Sequence, residues 1–350
     1  MALPRTLLIT GGAGFIGSNF VHFLSHFHPE VQVVNLDKLT YAGNLKNLEG
    51  IPLDGSPTPA GFRHTFVHGD IQDRRLLAEL FVRYRFDGVV NFAAESHVDR
   101  SLQGADEFIR TNVLGAHELM RVCLEHRCRL LQVSTDEVYG QLMPDEPPFT
   151  EESPLRPRNP YAATKAAADL MALSYFESFG LDVVITRSSN NYGPRQFPEK
   201  FLPLAITNLL EGRAIPVYGT GENVREWLHV EDNCRGIWMA LTRGRSGEVY
   251  NLGGRDEVQN IEMARRLCEL LGVDPEQGIR FVRDRPGHDL RYALDSSKAK
   301  RELGWEPQWE LSRGLEELVR WYRENEEWWQ EIRSGEYRKY YERHYGEKID

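Results

Sequence analysis

Short apolar runs alternate with amphipathic stretches along the first half of the chain. The apolar runs at 5–10, 31–36, 63–67, 87–92, 129–134 and 182–187 predict strands, and the stretches near 14–27, 73–84, 106–126 and 160–179 have the apolar spacing of helices. Strands that alternate with helices form a parallel sheet with helices on both faces. The pattern therefore predicts an α/β protein built on a doubly wound parallel sheet.

The pattern changes after about residue 188, where Gly, Pro, Asn and Arg interrupt shorter elements. This change predicts a second, smaller, mixed α/β domain that binds substrate. We assign 1–187 to the first domain and 188–231 with 254–350 to the second. The segment 232–253 contains one more apolar run, which begins at Glu248, and we expect it to return to the first sheet.

Two segments do not follow the alternation of strands and helices. Residues 50–61 contain Pro52, Pro57 and Pro59, which predicts a surface loop. Residues 321–345 are dense in Trp, Tyr, Arg and Glu, and we interpret them as a packed helical cap.

A glycine cluster follows the first predicted strand and opens the first helix. Gly12, Gly14 and Gly17 fit G-x-G-x-x-G, and Gly11 with the last two also fits G-x-x-G-x-x-G. These glycines allow a sharp turn and a close approach to a diphosphate, which the helix N-terminus then binds. Asp37 follows Gly17 by 20 residues, where a carboxylate accepts the ribose hydroxyls of NAD and repels the extra phosphate of NADP. We therefore predict a Rossmann-type domain that binds NAD.

The net charge is −10 over 350 residues, and the acidic and basic residues are interspersed. This balance disfavours a broad nucleic-acid surface. No apolar run approaches the ~20 residues that span a bilayer, so we expect no membrane segment. His22 and His26 share a helix face without a carboxylate pattern, so we expect surface residues there and no metal site.

The cysteines and the N-terminus predict a cytoplasmic protein. Cys123, Cys128, Cys234 and Cys268 are scattered without the spacing of metal ligands, which is typical of buried thiols in a reducing compartment. Residues 1–5 lead directly into the first strand and leave no room for a signal peptide.

Four polar segments come at or just beyond the ends of predicted strands, where ligands bind in doubly wound sheets. In the first, 91–97, small residues would let the nicotinamide half of the cofactor approach the backbone. His97 in this segment could contact substrate or be a packed loop histidine. In the second, 134–140, Asp136 and Glu137 can divide acid and base roles if the chain turns there, as Gly140 suggests. A solvated acidic loop is the alternative.

The third segment, 159–165, has the pattern of a helix start. Asn159 is a plausible N-cap, and Pro160 suits the first helical position. Tyr161 and Lys165 are four positions apart and therefore share one helix face. A cationic Lys165 would lower the pKa of the Tyr161 phenol and make it a usable base near neutral pH.

The fourth segment, 187–194, contains two neighbouring carboxamides, Asn190 and Asn191, which can bind neutral hydroxyls and carbonyls. Further along the chain, nitrogen donors occur in turn-rich sequence. If these side chains converge, they would suit a substrate diphosphate. They are Lys200, Arg225, Arg285, His288 and Arg291.

Seven segments together make the chain similar to the extended short-chain dehydrogenase/reductases, and more narrowly to the dTDP-glucose 4,6-dehydratase family. They are 10–17, 37–44, 94–101, 134–140, 189–194, 225–232 and 284–289. The glycine loop and the Tyr161/Lys165 pair occur throughout the superfamily. The narrower resemblance depends on 135–137 with 94–101, and it extends over nearly the whole chain.

The resemblance implies an NAD-dependent hydro-lyase that converts dTDP-glucose to dTDP-4-keto-6-deoxyglucose in deoxysugar (rhamnose-type) biosynthesis. Tyr161 would take the proton of the C4 hydroxyl, which Thr135 orients, while hydride passes to NAD. Glu137 would remove the C5 hydrogen and Asp136 would protonate the departing C6 hydroxyl. The hydride then returns to C6.

The resemblance also implies ligand contacts and a homodimer that pairs through the helices predicted at 106–126 and 160–179. The implied NAD contacts are Gly11, Gly14, Phe15, Ile16, Gly17, Asp37, Lys38, Leu39, Thr40, Asp70, Ile71, Phe92, Ala93, Ala94, Ser96, Thr111, Tyr161, Lys165 and Asn191. The implied substrate contacts are Ser96, His97, Thr135, Asn190, Lys200, Phe201, Pro216, Val217, Tyr218, Arg225, Asn260, Asp284, Arg285, His288 and Tyr292.

Three other functions remain open at this level. A dehydratase for another nucleotide sugar would differ only in a base pocket that the sequence does not reveal. A 4-epimerase would share the glycines, Tyr161 and Lys165, but it needs neither a C5 base nor a C6 acid. An NAD-sensing module without turnover would need no catalytic pair at all.

Overall fold

The computed structural model describes residues 3–334, and the bounds of its regular elements are as follows. The strands are β1 (Thr6–Thr10), β2 (Gln32–Asp37), β3 (Asp54–Pro57), β4 (Arg63–His68), β5 (Gly88–Asn91), β6 (Arg129–Thr135), β7 (Val183–Ser188), β8 (Asn190–Tyr192), β9 (Ile215–Tyr218), β10 (Val224–His229), β11 (Val249–Leu252), β12 (Asp256–Gln259) and β13 (Ile279–Val282). The helices are α1 (Phe15–Phe27), α2 (Arg74–Tyr84), α3 (Val98–Gln103), α4 (Asp106–Phe108), α5 (Ala116–His126), α6 (Pro160–Phe179), α7 (Phe201–Leu210), α8 (Val230–Arg243), α9 (Asn260–Leu271), α10 (Pro275–Gly278), α11 (Ser297–Leu303), α12 (Leu311–Glu324) and α13 (Glu326–Arg333).

The largest sheet has eight strands in the order β11-β7-β6-β5-β1-β2-β4-β3. Its neighbouring strands run parallel except for β3 against β4. Side chains of β1 alternate between two cores: Leu7 and Ile9 pack with α1 and α8, whereas Leu8 packs with α5 and α6. This arrangement confirms the predicted doubly wound α/β fold.

The six strands predicted in the first half of the chain are all present in this sheet. The run that begins at Glu248 also joins it, because β11 pairs in parallel with β7 in the register Val249 to Ile185. The strand expected at this run therefore lies in the first sheet. The domain limits drawn from the sequence stay a prediction.

A second region lies beyond the carboxyl ends of the large sheet. It contains a three-stranded sheet in the order β12-β10-β8 and a two-stranded pair of β13 and β9. Helices α7, α9 and α12 bury their apolar faces together in a separate core. Because β8 follows β7 after a single residue, the chain passes directly from the large sheet into the second region.

Two stretches differ from the pattern expected of them. Residues 54–57 form β3, an exposed edge strand, so the prediction of an uninterrupted loop at 50–61 is wrong. An edge strand tolerates proline and needs no alternation of apolar residues, so the sequence pattern does not distinguish it from a loop. The helix expected at 106–126 is present, but Ile109–Gly115 has π-helical geometry between α4 and α5.

The C-terminal prediction is confirmed as far as the structure describes the chain. Helices α12 and α13 are amphipathic, and Trp328 and Trp329 are buried. The predicted cap beyond residue 334 lies outside the described residues. Among residues 3–334, none of the helices has both the length and the apolar composition that crossing a bilayer requires.

Candidate active site

A cleft opens above the carboxyl ends of β1, β2, β5 and β6. It collects nearly all of the residues that the sequence assigns to the cofactor: Gly11, Gly14, Phe15, Ile16, Gly17, Asp37, Lys38, Thr40, Asp70, Ile71, Phe92, Ala93, Ala94, Ser96, Thr111, Tyr161 and Lys165. Two assigned residues are placed elsewhere. Leu39, whose φ is 52°, packs against the core that contains α1 and α8, and the Asn191 side chain donates to Ser188 Oγ at 3.1 Å and to the Ser189 carbonyl at 2.9 Å.

The glycine loop at the end of β1 leaves no room for side chains. A Cβ on Gly11, whose φ is +73°, would lie 2.6 Å from the Ala93 nitrogen. A Cβ on Gly17 would lie 2.3 Å from the Gly11 oxygen. The N-cap of α1 is Gly14, which has no side chain to occupy the N-terminal amides. This geometry suits a diphosphate, as the sequence predicted.

Asp37 ends β2 and is buried beside this loop. Its Oδ2 accepts the Ala13 N–H at 2.8 Å and its Oδ1 accepts the Leu39 N–H at 2.8 Å. Burial raises the pKa of Asp37, and the two amides oppose that rise. Each carboxylate oxygen keeps a further lone pair, so the side chain fits a ribose diol and the cleft fits NAD.

Tyr161 and Lys165 lie on α6, which begins as the sequence predicts. Asn159 Oδ1 accepts the Ala162 N–H at 2.8 Å and caps the helix ahead of Pro160. Lys165 Nζ donates to the Val133 carbonyl at 2.6 Å, and burial lowers the pKa of Lys165 to about 8. The lysine is thus held at the end of β6.

The expectation that Lys165 lowers the pKa of Tyr161 is not met. Burial raises the pKa of Tyr161 well above its ordinary value, and the Glu137 carboxylate adds to the rise. A hydrogen bond with Thr135 acts in the opposite direction. Desolvation and nearby negative charge therefore outweigh the Thr135 hydrogen bond, a balance that helix spacing alone does not reveal.

Asp136 and Glu137 sit in a single turn of 3₁₀-helix that follows β6 directly. Thr135 caps this turn, because its hydroxyl accepts the Glu137 N–H at 3.3 Å. The backbone therefore turns at Asp136 and Glu137, as the sequence predicted for two carboxyl groups that share one site. Asp136 is buried and Glu137 is half-buried, so the alternative of a solvated acidic loop is wrong.

The environments of the two carboxyl groups differ. Burial, with the charge of Glu137, raises the pKa of Asp136 to about 7. Among the described residues, Asp136 Oδ2 has no hydrogen-bond partner. Burial also raises the pKa of Glu137, but Arg285 and the Asn159 amide, which donates to Glu137 Oε2 at 3.1 Å, oppose that rise. The site can therefore hold one acid and one base.

Cationic side chains from the second region face this pair. Lys200 Nζ donates to the Ser96 carbonyl at 2.8 Å, and both residues line the cleft. The Arg225 guanidinium lies 4.5 Å from the centre of the Tyr292 ring and donates to the Asp289 carbonyl at 2.9 Å.

A second cluster forms around Asp99, which the sequence analysis missed. Asp99 accepts from Arg285 Nη1 at 3.0 Å and from the Tyr218 hydroxyl at 3.2 Å. His288 packs edge-on against Tyr218 and lies 2.7 Å from Asp284 Oδ1. Burial lowers the pKa of His288 to about 4. The predicted donors Arg285 and His288 do converge.

Other candidates have different surroundings. Arg291 forms a two-point ion pair with Glu257 and does not join the cluster, which corrects the expectation for that residue. His97 is buried and caps α3. The remaining predicted contacts are placed by element: Asn190 lies in β8, Pro216 and Val217 lie in β9, and Phe201 and Asn260 begin α7 and α9.

The structure adds charged residues that carry no sequence signal. Glu199 is buried and accepts Arg100 Nε and Nη2 at 3.1 Å each. The Arg100 guanidinium lies 4.0 Å from the centre of the Tyr41 ring. Burial and Asp136 raise the pKa of Glu226 to about 8. No periodicity or spacing points to these residues, because their partners are distant in the chain.

His22, expected at the surface, is half-buried. It contacts the Asn47 carbonyl at 2.9 Å, and burial, with Arg195, lowers its pKa to about 4. Within residues 3–334, no three His, Cys, Asp or Glu side chains assemble as a metal site requires.

Comparisons with known proteins extend over almost the whole chain. The family model described as GDP-mannose 4,6 dehydratase matches residues 8–318. The dTDP-glucose 4,6-dehydratase of Actinoplanes sp. is 50% identical over 329 residues, which is 92% of this chain and 99% of the relative.

Solved structures of nucleotide-sugar enzymes also match this chain over more than 90% of its length. DesIV, a dTDP-glucose 4,6-dehydratase from Streptomyces venezuelae crystallised with NAD and TYD bound, superposes with a TM-score of 0.88 at 51% identity and covers 94% of this chain and 100% of that one. UDP-glucose 4-epimerase from Thermotoga maritima has a TM-score of 0.83 at 27% identity, with 91% of this chain and 99% of the epimerase covered.

Proposed function

This chain belongs to the dTDP-glucose 4,6-dehydratase family, and from that premise we propose that it is an NAD-dependent hydro-lyase that converts dTDP-glucose to dTDP-4-keto-6-deoxyglucose. The product is a precursor of deoxysugars. The observation that carries the proposal is the pair of buried Asp136 and half-buried Glu137 beside Tyr161, at the end of a strand that lines an NAD-type cleft.

The first step is oxidation at C4 of the sugar. NAD bound by the glycine loop and Asp37 would supply the hydride acceptor for this oxidation and the hydride donor for the later reduction at C6. Tyr161 receives the proton of the C4 hydroxyl, and Thr135, which is hydrogen-bonded to it, orients the same oxygen. Because burial disfavours the phenolate of Tyr161, positive charge in the cleft must favour it. Lys165 lies one helical turn from Tyr161 on the same face of α6 and brings a cation to that face.

The second step is elimination of water across C5 and C6. The 4-keto group acidifies the C5 hydrogen, which Glu137 removes as a proton. Arg285, Lys200 and Arg225 favour the carboxylate that this role needs. Asp136, with a pKa of about 7, still carries a proton near neutral pH and gives it to the departing C6 hydroxyl. Hydride then reaches C6, and Glu137 returns its proton to C5. The proton that Tyr161 received equals the one that Asp136 gave, and its transfer from Tyr161 to Asp136 restores both groups.

The acid–base pair favours a dehydratase over a 4-epimerase of the same fold. An epimerase moves hydride off and onto C4 and breaks no C–O bond, so its reaction needs neither a base at C5 nor an acid at C6. Withdrawing two carboxyl groups from water costs free energy, and in an epimerase no step of the reaction would use them.

Product analysis tests the proposal against its rivals. Purified protein is incubated separately with dTDP-, UDP-, CDP- and GDP-linked hexoses, and products are identified by mass spectrometry. We expect dTDP-glucose to lose one water. A product of unchanged mass would indicate an epimerase, dehydration only of another nucleotide sugar would change the substrate, and no turnover would favour an NAD-sensing module.

We also propose a homodimer that pairs through α6 and the helix that contains α4 and α5. Exposed apolar side chains on these helices support it: Ile109 is 46% exposed, Leu114 is 52% exposed and Leu170 is 57% exposed.

A cytoplasmic location is supported by the four cysteines, which are all buried free thiols. The two-domain division at 187/188 with a return at 232–253 is part of the same proposal.

A further inference from the structure

The C-terminal helix α13 contacts the turn at Leu45–Leu48, which follows β2. Trp328 in α13 donates its indole N–H to Asn47 Oδ1 at 3.0 Å. Both side chains are buried, with Asn47 2% exposed and Trp328 8% exposed. The two residues are 281 positions apart in the chain. The contact therefore joins the last described helix to a turn that follows β2.

Asn47 is also hydrogen-bonded to the glycine loop at 11–17. Its amide Nδ2 donates to the Ala13 carbonyl at 2.8 Å. The Ala13 N–H in turn donates to Asp37 Oδ2 at 2.8 Å. Three consecutive hydrogen bonds thus lead from Trp328 to the carboxylate assigned to the ribose. Since the Asn47 carbonyl also contacts His22, this asparagine is held on three sides.

The same helices hold the opposite wall of the cleft. The Tyr322 hydroxyl in α12 donates to the carbonyl of Gln196, which lines the cleft. Arg333 anchors the end of α13 on the second region, because its Nη2 donates to Asn208 Oδ1 at 2.9 Å. Helices α12 and α13 therefore span both sides of the cofactor cleft.

We propose that α12 and α13 form a brace that retains NAD through the catalytic cycle, with Trp328 and Asn47 as positioning residues for the glycine loop and Asp37. The inference rests on the proposed function, because a hydride removed in the first step must return to the same sugar in the last. In this proposal NAD leaves the cleft when the loop at 11–17, which lines it, moves. The brace opposes that movement, because moving the loop would break the hydrogen bond to Ala13 and leave the buried Asn47 amide unpaired.

A pair of neighbouring tryptophans provides a matched test. Trp328→Phe removes the N–H that reaches Asn47 and keeps an aromatic ring in place. Trp329→Phe is the control, because the Trp329 indole is also buried but donates to the Tyr322 carbonyl at 2.9 Å, within the brace itself. Holoenzyme of each variant is passed through a desalting column, and NAD is released with acid and quantified over time.

We expect NAD to leave Trp328→Phe about 3- to 10-fold faster than the parent and to leave Trp329→Phe at the parental rate, as the loss of one buried hydrogen bond predicts. Added NAD should restore kcat in Trp328→Phe and leave only a raised apparent KM for NAD. Equal NAD loss from both variants, or from neither, would overturn the proposal, as would a low kcat that NAD does not restore.

A second variant keeps the test decisive if Trp328→Phe does not fold. Asn47→Asp retains the oxygen that Trp328 needs but replaces the N–H that Ala13 needs with an acceptor. It should also release NAD faster, and parental retention would contradict the proposed role of the loop contact. No sugar enters the retention measurement, so a wrong substrate assignment would leave its outcome unchanged.

Discussion

Thr135 Oγ1 donates a hydrogen bond to Asp136 Oδ1 at 3.1 Å. The same hydroxyl is hydrogen-bonded to Tyr161. A single side chain thus connects the proposed base of the oxidation step to the proposed acid of the elimination step. Because Asp136 is buried beside Glu137, it keeps a proton near neutral pH, and the first prediction follows from that proton.

Asp136→Asn should lower the overall turnover by ~10²–10⁴, because hydroxide is a poor leaving group without an acid. Oxidation at C4 should still occur, so reduced nicotinamide and a 4-keto-glucose intermediate should accumulate in a single turnover. Absorbance of the reduced nicotinamide after mixing with dTDP-glucose, with product analysis, measures this. Asp145→Asn changes an exposed aspartate and serves as the control. Parental product formation by Asp136→Asn would refute the acid role.

Tyr161→Phe should abolish the first oxidation and leave NAD binding nearly intact. The variant removes only the hydroxyl that receives the C4 proton, and loss of a general base typically lowers the rate by ~10²–10⁴. The measurement is reduced nicotinamide in a single turnover, together with NAD content. Tyr84→Phe, in α2, is the matched control. Near-parental turnover in Tyr161→Phe would mean that α6 does not carry the base.

The pH dependence of kcat should contain a limb set by Asp136. The acid must be protonated, so kcat should fall as pH rises through about 7, the raised pKa of Asp136. A further loss should follow as the Lys165 cation disappears above about 8. Rates from pH 5.5 to 9 at saturating dTDP-glucose, on the order of one point every half unit, test this. In Asp136→Asn the lower of the two limbs should vanish, and its persistence would assign it to another group.

The purified protein should carry NAD and not NADP, because the Asp37 carboxylate would repel a ribose 2′-phosphate. Asp37→Ala should weaken NAD binding by about 10- to 100-fold, as expected for lost hydrogen bonds to a charged group, and NADP binding by less. Extraction identifies the bound nucleotide, and titration gives the two affinities. Asp37→Asn, which keeps one acceptor oxygen, should lie between parent and Asp37→Ala. Mostly NADP in the extract would contradict the assignment.

The protein should sediment as a homodimer at micromolar concentration. Leu170→Glu places a charge on the proposed interface and should shift the protein toward monomer. Val82→Glu introduces the same charge at a residue of α2 that is 70% exposed, and it should leave the dimer unchanged. A parental protein that sediments as a monomer would exclude the proposed interface.

The sequence by itself determined the features that depend on neighbours in the chain. Apolar periodicity predicted the parallel sheet, and the spacing of Gly11, Gly14 and Gly17 predicted the turn that opens α1. Tyr161 and Lys165 share a helix face because four residues make about one helical turn, and Asn159 caps that helix as a local hydrogen bond requires. The resemblance of whole segments added the chemistry and the substrate.

Only the tertiary structure decided what depends on burial and on distant partners. The pKa of Tyr161 rises because the fold withdraws it from water beside Glu137. Asp99 meets Arg285 across 186 positions, and Asn47 meets Trp328 across 281. The edge strand β3 forms because β4, which pairs with β2 on one side, pairs with β3 on the other, although the residues of β3 show no apolar alternation. Periodicity reports which residues face a core, whereas the identity of the residue on the other side depends on how the chain folds back upon itself.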